Sequence, residues 1–157
     1  MDYALKHPGL NLIGVERLLG RIRKIDRKGR RLGLRNVRGI RIEARYFLRY
    51  LLPRSVVAAL HIYFPDPWPK ARHAQHRLVD SKFSSLVCPV LAGGGRVYLR
   101  TDDESYFTAM RESMGVAEAF HEVRVPADLA AIQTDFERSF RERGKAVFST
   151  AYAVRSA

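Results

Sequence analysis

The chain has 157 residues, 46% of them hydrophobic, which suits one folded domain over residues 1–157 with a single core. No apolar run approaches the roughly 20 residues that cross a bilayer, and residues 1–8 lack a basic-then-apolar signal pattern. Cys88 is the only cysteine, which excludes an internal disulfide and a cysteine-built metal cluster and leads us to expect a cytoplasmic setting. The formal charge of +12 is concentrated: residues 17–54 hold fourteen Lys/Arg against two acids, Asp26 and Glu43, and account for the whole excess. Such a surface attracts polyanions, nucleic acid first among them; a merely solvated helix face is the plainer alternative.

In chain order, residues 1–7 read as the end of a helix stopped by Pro8-Gly9. Residues 10–16 form a short buried strand ending in Glu16. Leu18, Ile22 and Ile25 recur at helical spacing among basic residues, which predicts an amphipathic helix over about 17–27, broken by Gly29 and Gly33. A strand is expected at 37–44, a short helix at 46–52 ended by Pro53, and a strand at 58–64. Residues 78–91 carry a helical pattern that Pro89 should shorten and Gly93-Gly-Gly95 should end. Then come a strand at 96–101 and a helix at 104–114 with Tyr106, Phe107, Met110 and Met114 inward. A strand at 120–125, a partly helical stretch at 129–143 stopped by Gly144, and a last strand at 146–154 complete the chain. The alternation from 10 to 114 implies an α/β fold with a mostly parallel sheet, its last two strands forming an antiparallel edge.

In an open sheet of this kind, ligands bind outside the carboxyl ends of the strands. Four predicted strands carry an acid at or just past that end: Glu16, Glu43, Asp66 and Asp102. Each is also placed to cap the helix that follows, Asp102 that of the 104–114 helix; four together favour a site. The densest chemistry follows the 58–64 strand. Pro65, Pro67 and Pro69 alternate with Asp66 and Trp68, and Lys70, Arg72, His73, His76 and Arg77 follow. Proline stops helix and sheet alike, so this is a stiff loop presenting one acid and one aromatic beside positive charge. The cations are placed to meet phosphates, with a solvated charge an equal reading for any one of them. For Trp68, a buried loop anchor is favoured over a base-stacking surface. The five histidines show no ligand spacing, so no metal is expected.

The run Phe64-Pro-Asp-Pro-Trp-Pro-Lys-Ala-Arg-His73 resembles the signature of bacterial tRNA (guanine-N7)-methyltransferases. Leu12-Ile-Gly-Val-Glu16 is similar to that family's second strand, residues 95–102 to its Gly-Gly turn, strand and Thr-Asp, and Thr134-Asp-Phe-Glu137 to its C-terminal Thr-x-Phe-Glu motif. The resemblance covers essentially the whole chain. It implies a Rossmann-like class I methyltransferase sheet, S-adenosylmethionine as cofactor, and tRNA as partner, with no membrane and no metal. By the same resemblance Asp66 is the catalytic residue and borders the cofactor. Glu16 would take the ribose hydroxyls and Glu43 the adenine amino group. Lys70, Arg72, His73, His76, Arg77, Asp102, Thr134, Asp135, Phe136 and Glu137 would line the guanine and RNA side. Monomer and homodimer are both compatible with the sequence.

Three features depart from the family pattern. Glu43 stands before Ala44 where the family has Asp, one methylene shorter, and the basic run is sparser at Ala74-Gln-His-Arg77. The family also carries a strand and a Glu-x-Gly-x-Gly cofactor loop ahead of the helix that ends near Pro8, so the chain reads as N-terminally truncated. Two functions follow: methyl transfer from S-adenosylmethionine to N7 of a tRNA guanine, or tRNA binding by a non-catalytic relative that has lost the cofactor loop.

Overall fold

A computed structural model describes residues 1–155. The chain divides into two compact units, Met1–Leu51 and Leu52–Ala157.

The first unit is a βαβ turn with helical ends. It runs α1 (Asp2–Lys6), β1 (Leu12–Glu16), α2 (Leu19–Arg31), β2 (Val37–Arg41) and α3 (Ala44–Tyr46), which continues into a π-helical turn at Phe47–Leu51. β1 and β2 pair in parallel, Leu12 opposite Val37 through Glu16 opposite Arg41. Gly14 and Gly39 face each other in that register and leave room above the strands. A Cβ on Gly14 would lie 3.3 Å from the Ile25 side chain, and one on Gly39 3.4 Å from Ile22. The same two isoleucines whose spacing predicted the helix therefore set it down on the sheet. Gly29 does not break α2, being buried within it. The helix ends at Gly33, whose φ of 64° lets its own N–H reach the Arg30 carbonyl and the Leu34 N–H that of Gly29. The Asn36 side-chain amide donates to the carbonyls of Ala4, His7 and Leu10, tying α1 to the start of β2.

The second unit runs β3 (Val57–Tyr63), a 3-10 turn (Ala71–His76), α4 (Phe83–Val87), β4 (Leu91–Thr101), α5 (Glu104–Gly115), β5 (Phe120–Val123), α6 (Ala127–Ala130), α7 (Asp135–Glu142) and β6 (Phe148–Val154). Its strands stand in the order β3-β4-β6-β5. β3 and β4 are parallel, while β6 runs antiparallel to both its neighbours, giving the expected parallel strands with an antiparallel edge. Phe83, Val87, Val97, Leu99, Met110 and Met114 fill the core with no exposure. Tyr106 is equally buried, and its hydroxyl accepts the Val79 N–H.

Two expectations change here. The helical pattern over 78–91 yields only the short α4. Gly93-Gly-Gly95 does not end a helix but lies inside β4, where the register with β3 slips between Val57–Leu91 and Ala59–Arg96. A bulge of this kind suits residues without a Cβ.

Candidate functional site

β3 and β4 pair in parallel, with Tyr63 opposite Arg100, so the loop after β3 and the turn after β4 emerge at the same sheet end. Phe64 and Trp68 both have left-handed backbones, φ 53° and 45°, and each stands immediately before a proline. Non-glycine residues seldom hold that conformation, and such strain gathers at functional sites. Three groups of contacts sustain it. The Phe64 N–H donates to the Arg100 carbonyl at 2.8 Å, and its ring packs on Phe140 (5.2 Å between centroids) and Phe136 (6.5 Å) of α7. Arg77 Nε donates to the Pro67 carbonyl at 2.7 Å, while its guanidinium lies over the Tyr106 ring. Trp68 packs against His73 and His76. Between these anchors Asp66 is exposed, and among the described residues none pairs with its carboxylate.

After β4, Asp102 is half-buried and its Oδ2 lies 3.4 Å from Lys145 Nζ. The cap on α5 is Asp103, not Asp102. Asp103 Oδ1 accepts from the Tyr106 N–H and the Ser105 hydroxyl, both at 2.7 Å. The Ser105 hydroxyl, with the Tyr106 amide and the Arg77 charge, holds the Asp103 carboxyl below its ordinary range against the opposing effect of burial. Asp102 is thereby free of the capping role that the sequence offered it. On α7, Thr134 Oγ1 accepts the Glu137 N–H at 3.1 Å and caps the helix. Asp135 pairs with Arg138 at the surface, and Phe136 is half exposed.

Of the cations after the loop, Lys70, Arg72 and His76 are exposed and His73 is half-buried, positions open to a ligand. Three residues are not where the sequence placed them. Arg77 braces the loop through the Pro67 carbonyl instead of standing free for RNA. Glu137 is buried, its oxygens taken by Arg100 and Arg141, so that it ties α7 to β4 instead of lining an open surface. Trp68, expected to be buried, is 37% exposed because its ring rests on two histidines at the surface. Arg100 and Lys145 were missed. Only a charge inside the apolar run Val97-Tyr-Leu-Arg100 could have pointed to the first.

In the first unit, Glu16 ends β1 and Glu43 follows β2, at the carboxyl ends of a parallel pair. Glu16 Oε1 accepts the N–H groups of Arg17 (2.6 Å) and Leu18 (2.9 Å), and Oε2 pairs with Arg21 at 3.0 Å. Burial opposes ionisation of Glu16, but the Leu18 amide and Arg21 outweigh it and lower its pKa. Glu43 caps α3, accepting from Arg45 N–H at 2.9 Å and Tyr46 N–H at 2.7 Å. A carboxylate offers about four lone-pair positions. Glu43 caps α3, Glu16 binds the turn ahead of α2, and each still has capacity to accept from a ligand.

On β3 of the second unit, His61 is half-buried, stacked on Tyr98 and bonded to the Tyr63 hydroxyl at 2.8 Å. Burial, with the nearby Arg100 charge, lowers its pKa to about 4. Among the described residues no three His, Cys, Asp or Glu side chains converge as a metal site, and no helix is long and apolar enough to cross a membrane.

A family model described as "Putative methyltransferase" matches residues 1–150. The chain is 33% identical over 153 residues to the tRNA (guanine-N(7)-)-methyltransferase of Chlamydia abortus, covering 95% of this chain and 68% of that protein. It is 37% identical over 123 residues to the enzyme of the same name from Geobacter metallireducens, covering 78% of this chain and 58% of that one. The chain thus spans only part of the length of these relatives. Among solved structures, an rRNA methylase from Streptococcus thermophilus superposes with a TM-score of 0.57 at 14% identity, over 92% of this chain and 73% of its own. That likeness concerns the α/β fold alone.

Proposed function

Because this chain belongs to the tRNA (guanine-N7)-methyltransferase family, we propose that it transfers a methyl group from S-adenosylmethionine to N7 of a guanine in tRNA. The two units together would form one methyltransferase domain, acting where tRNA is found in the cytoplasm. The observation that carries this reading is the strained, proline-locked loop that presents an unpaired Asp66 beside the Asp102 turn.

When bound, S-adenosylmethionine supplies a sulfonium methyl group. Guanine N7 carries no proton and has an exposed lone pair. That lone pair would form the new N–C bond while the methyl–sulfur pair would stay with sulfur, so no general base is required. The protein must position the base and stabilise the positive charge that develops on the ring. Asp66 is suited to that role: it is anionic, held by its neighbours, and not committed to another cation. Asp102, half-buried and partnered by Lys145, would accept from the guanine edge. Lys70, Arg72, His73 and His76 would engage phosphates. Glu16 fits the ribose hydroxyls because its Oε2 has one partner and its carboxylate is held ionised. Glu43 would accept from the adenine amino group with the lone pairs its cap leaves open.

The test is methyl transfer to tRNA by the chain and by Asp66→Asn and Asp66→Ala. Both variants should lose about 10²–10³-fold in kcat, the scale of an electrostatic group at the reacting centre, with unchanged melting temperature. Full activity in Asp66→Ala would overturn the assignment. Tight tRNA binding with neither methyl transfer nor saturable S-adenosylmethionine binding would establish the second reading, a non-catalytic RNA-binding relative.

A further inference from the structure

Opposite the face that α2 lays on β1 and β2 is a face built almost wholly of cations. At about 100° per residue, Arg23, Lys24, Arg27, Arg30 and Arg31 share one side of the helix with Gly20, centred on Arg27, and all are exposed. Ile22, Ile25 and Gly29 occupy the other side. Asp26, the helix's one acid, lies toward the sheet, with its Oδ1 3.5 Å from the Cβ position of Gly39. Among the described residues no carboxylate pairs with Arg23, Arg27, Arg30 or Arg31.

This arrangement opposes the helix that carries it. Arg23 and Arg27, and Arg27 and Arg31, are like charges one turn apart, a spacing that destabilises. The helix dipole favours cations in the last turn, which accounts for Arg30 and Arg31 but not for Arg23 or Arg27. The fold holds α2 by its isoleucines and its Gly33 stop, neither of which uses the charge. A local cost with no structural compensation marks a functional surface.

We infer that this face of α2 tracks the phosphate backbone of the RNA, a contact additional to the base-handling residues of the second unit; it rests on RNA being the substrate, as proposed above. Arg23 to Arg31 spans about 12 Å of helix rise, long enough for the four guanidinium groups to reach different phosphates of the backbone. Arginine predominates, and its planar fork matches phosphate oxygens in pairs. An anionic bilayer is the less suited partner. A helix lying in a membrane interface needs its apolar face free, and the apolar face of α2 is occupied by β1 and β2.

The experiment is tRNA binding by the full chain, without methyl donor, across a salt series. It compares the chain with Arg23→Gln/Arg27→Gln/Arg30→Gln/Arg31→Gln and with the same four positions changed to Lys. At roughly 0.7–0.9 per phosphate contact, the Gln set should flatten the log K against log salt slope by about 3 and weaken binding by at least tenfold at low salt. The Lys set should keep the slope. The Gln variant should melt no lower than the parent, since it removes repulsion. An unchanged slope in the Gln variant overturns the inference, as does an equal loss in the Lys variant. Loss of adsorption to phosphatidylserine vesicles with tRNA binding intact also overturns it and assigns the face to membranes. A chain that binds tRNA through α2 yet transfers no methyl group removes the enzyme reading and leaves this one standing.

Discussion

Arg100 and Glu137 meet at 2.8 Å with side chains only 4% and 3% exposed, and the pair fixes α7 to the end of β4. Arg100 also donates to the Leu129 and Ile132 carbonyls, which holds the turn between α6 and α7, and its guanidinium lies over the Tyr63 ring. Arg141 takes the second oxygen of Glu137. The cluster therefore sets where Thr134 and Phe136 stand relative to the loop that carries Asp66.

Removing Glu137 leaves a buried guanidinium without its counter-charge. Glu137→Ala should cost about 3–5 kcal/mol in urea unfolding, the scale of a broken buried pair. Arg100→Met combined with Glu137→Leu should recover most of that loss, because the uncompensated charge is then gone. An unchanged midpoint for Glu137→Ala would show that the pair does not hold the structure.

Arg77 acts through the loop it braces. Arg77→Met removes the bond to the Pro67 carbonyl while keeping an apolar body over Tyr106. The expected result is a kcat for methyl transfer lower by roughly ten- to a hundredfold, the cost of a small misplacement at the reacting centre, with KM for tRNA within about twofold. A rise in KM with kcat unchanged would return Arg77 to direct RNA contact.

The sequence made the strand-end acids and the proline loop legible because both rest on local rules: strand polarity, and what proline forbids. Other features depend on distant partners. Glu137 reads as the end of the Thr134-Asp-Phe-Glu137 motif on the RNA side, yet its carboxylate turns inward to Arg100, 37 residues away. Neighbouring Asp102 and Asp103 are alike in composition; only the geometry after Thr101 gives the helix cap to the second. Gly29 looked like a helix stop because propensity disfavours it, but packing on β1 and β2 overrides propensity. The glycine run after Val90 has the same composition in a helix stop and in a strand bulge, and the β3 neighbour decides between them.

His61 makes stability depend on mild acid. Its folded pKa of about 4 lies below the ordinary histidine value of 6.5. Between those values the unfolded chain binds more protons than the folded one, so stability rises with pH there and is lost as pH falls from about 6.5 to about 4. The groups that face it are the Arg100 guanidinium, which opposes a second positive charge, and the phenols of Tyr63 and Tyr98. Melting temperatures of the parent should drop across that window. Those of His61→Phe should change less, and equal slopes would show that His61 is not the titrating group.

The three glycines of the β4 bulge should differ when each is changed to alanine, because each meets a different constraint. Around Gly93 nothing lies within 4 Å of where a Cβ would stand and φ is ordinary, so Gly93→Ala should be neutral or stabilising by about 0.4–1 kcal/mol. Gly94 has equal space but a φ of 70°, so Gly94→Ala should cost about 1–2 kcal/mol of left-handed strain. At Gly95 the new methyl would stand 2.8 Å from the Ala92 carbonyl oxygen and 3.1 Å from that of Val57 on β3. Both obstacles are backbone, so β3 and β4 must move apart where their register slips. Gly95→Ala should therefore be the most damaging of the three in urea midpoint. Because the same two strands carry Asp66 and Asp102 at their far end, it should also lower methyl transfer beyond what the unfolded fraction explains. Equal midpoints for Gly93→Ala and Gly95→Ala would mean that the bulge yields without disturbing the β3–β4 ladder.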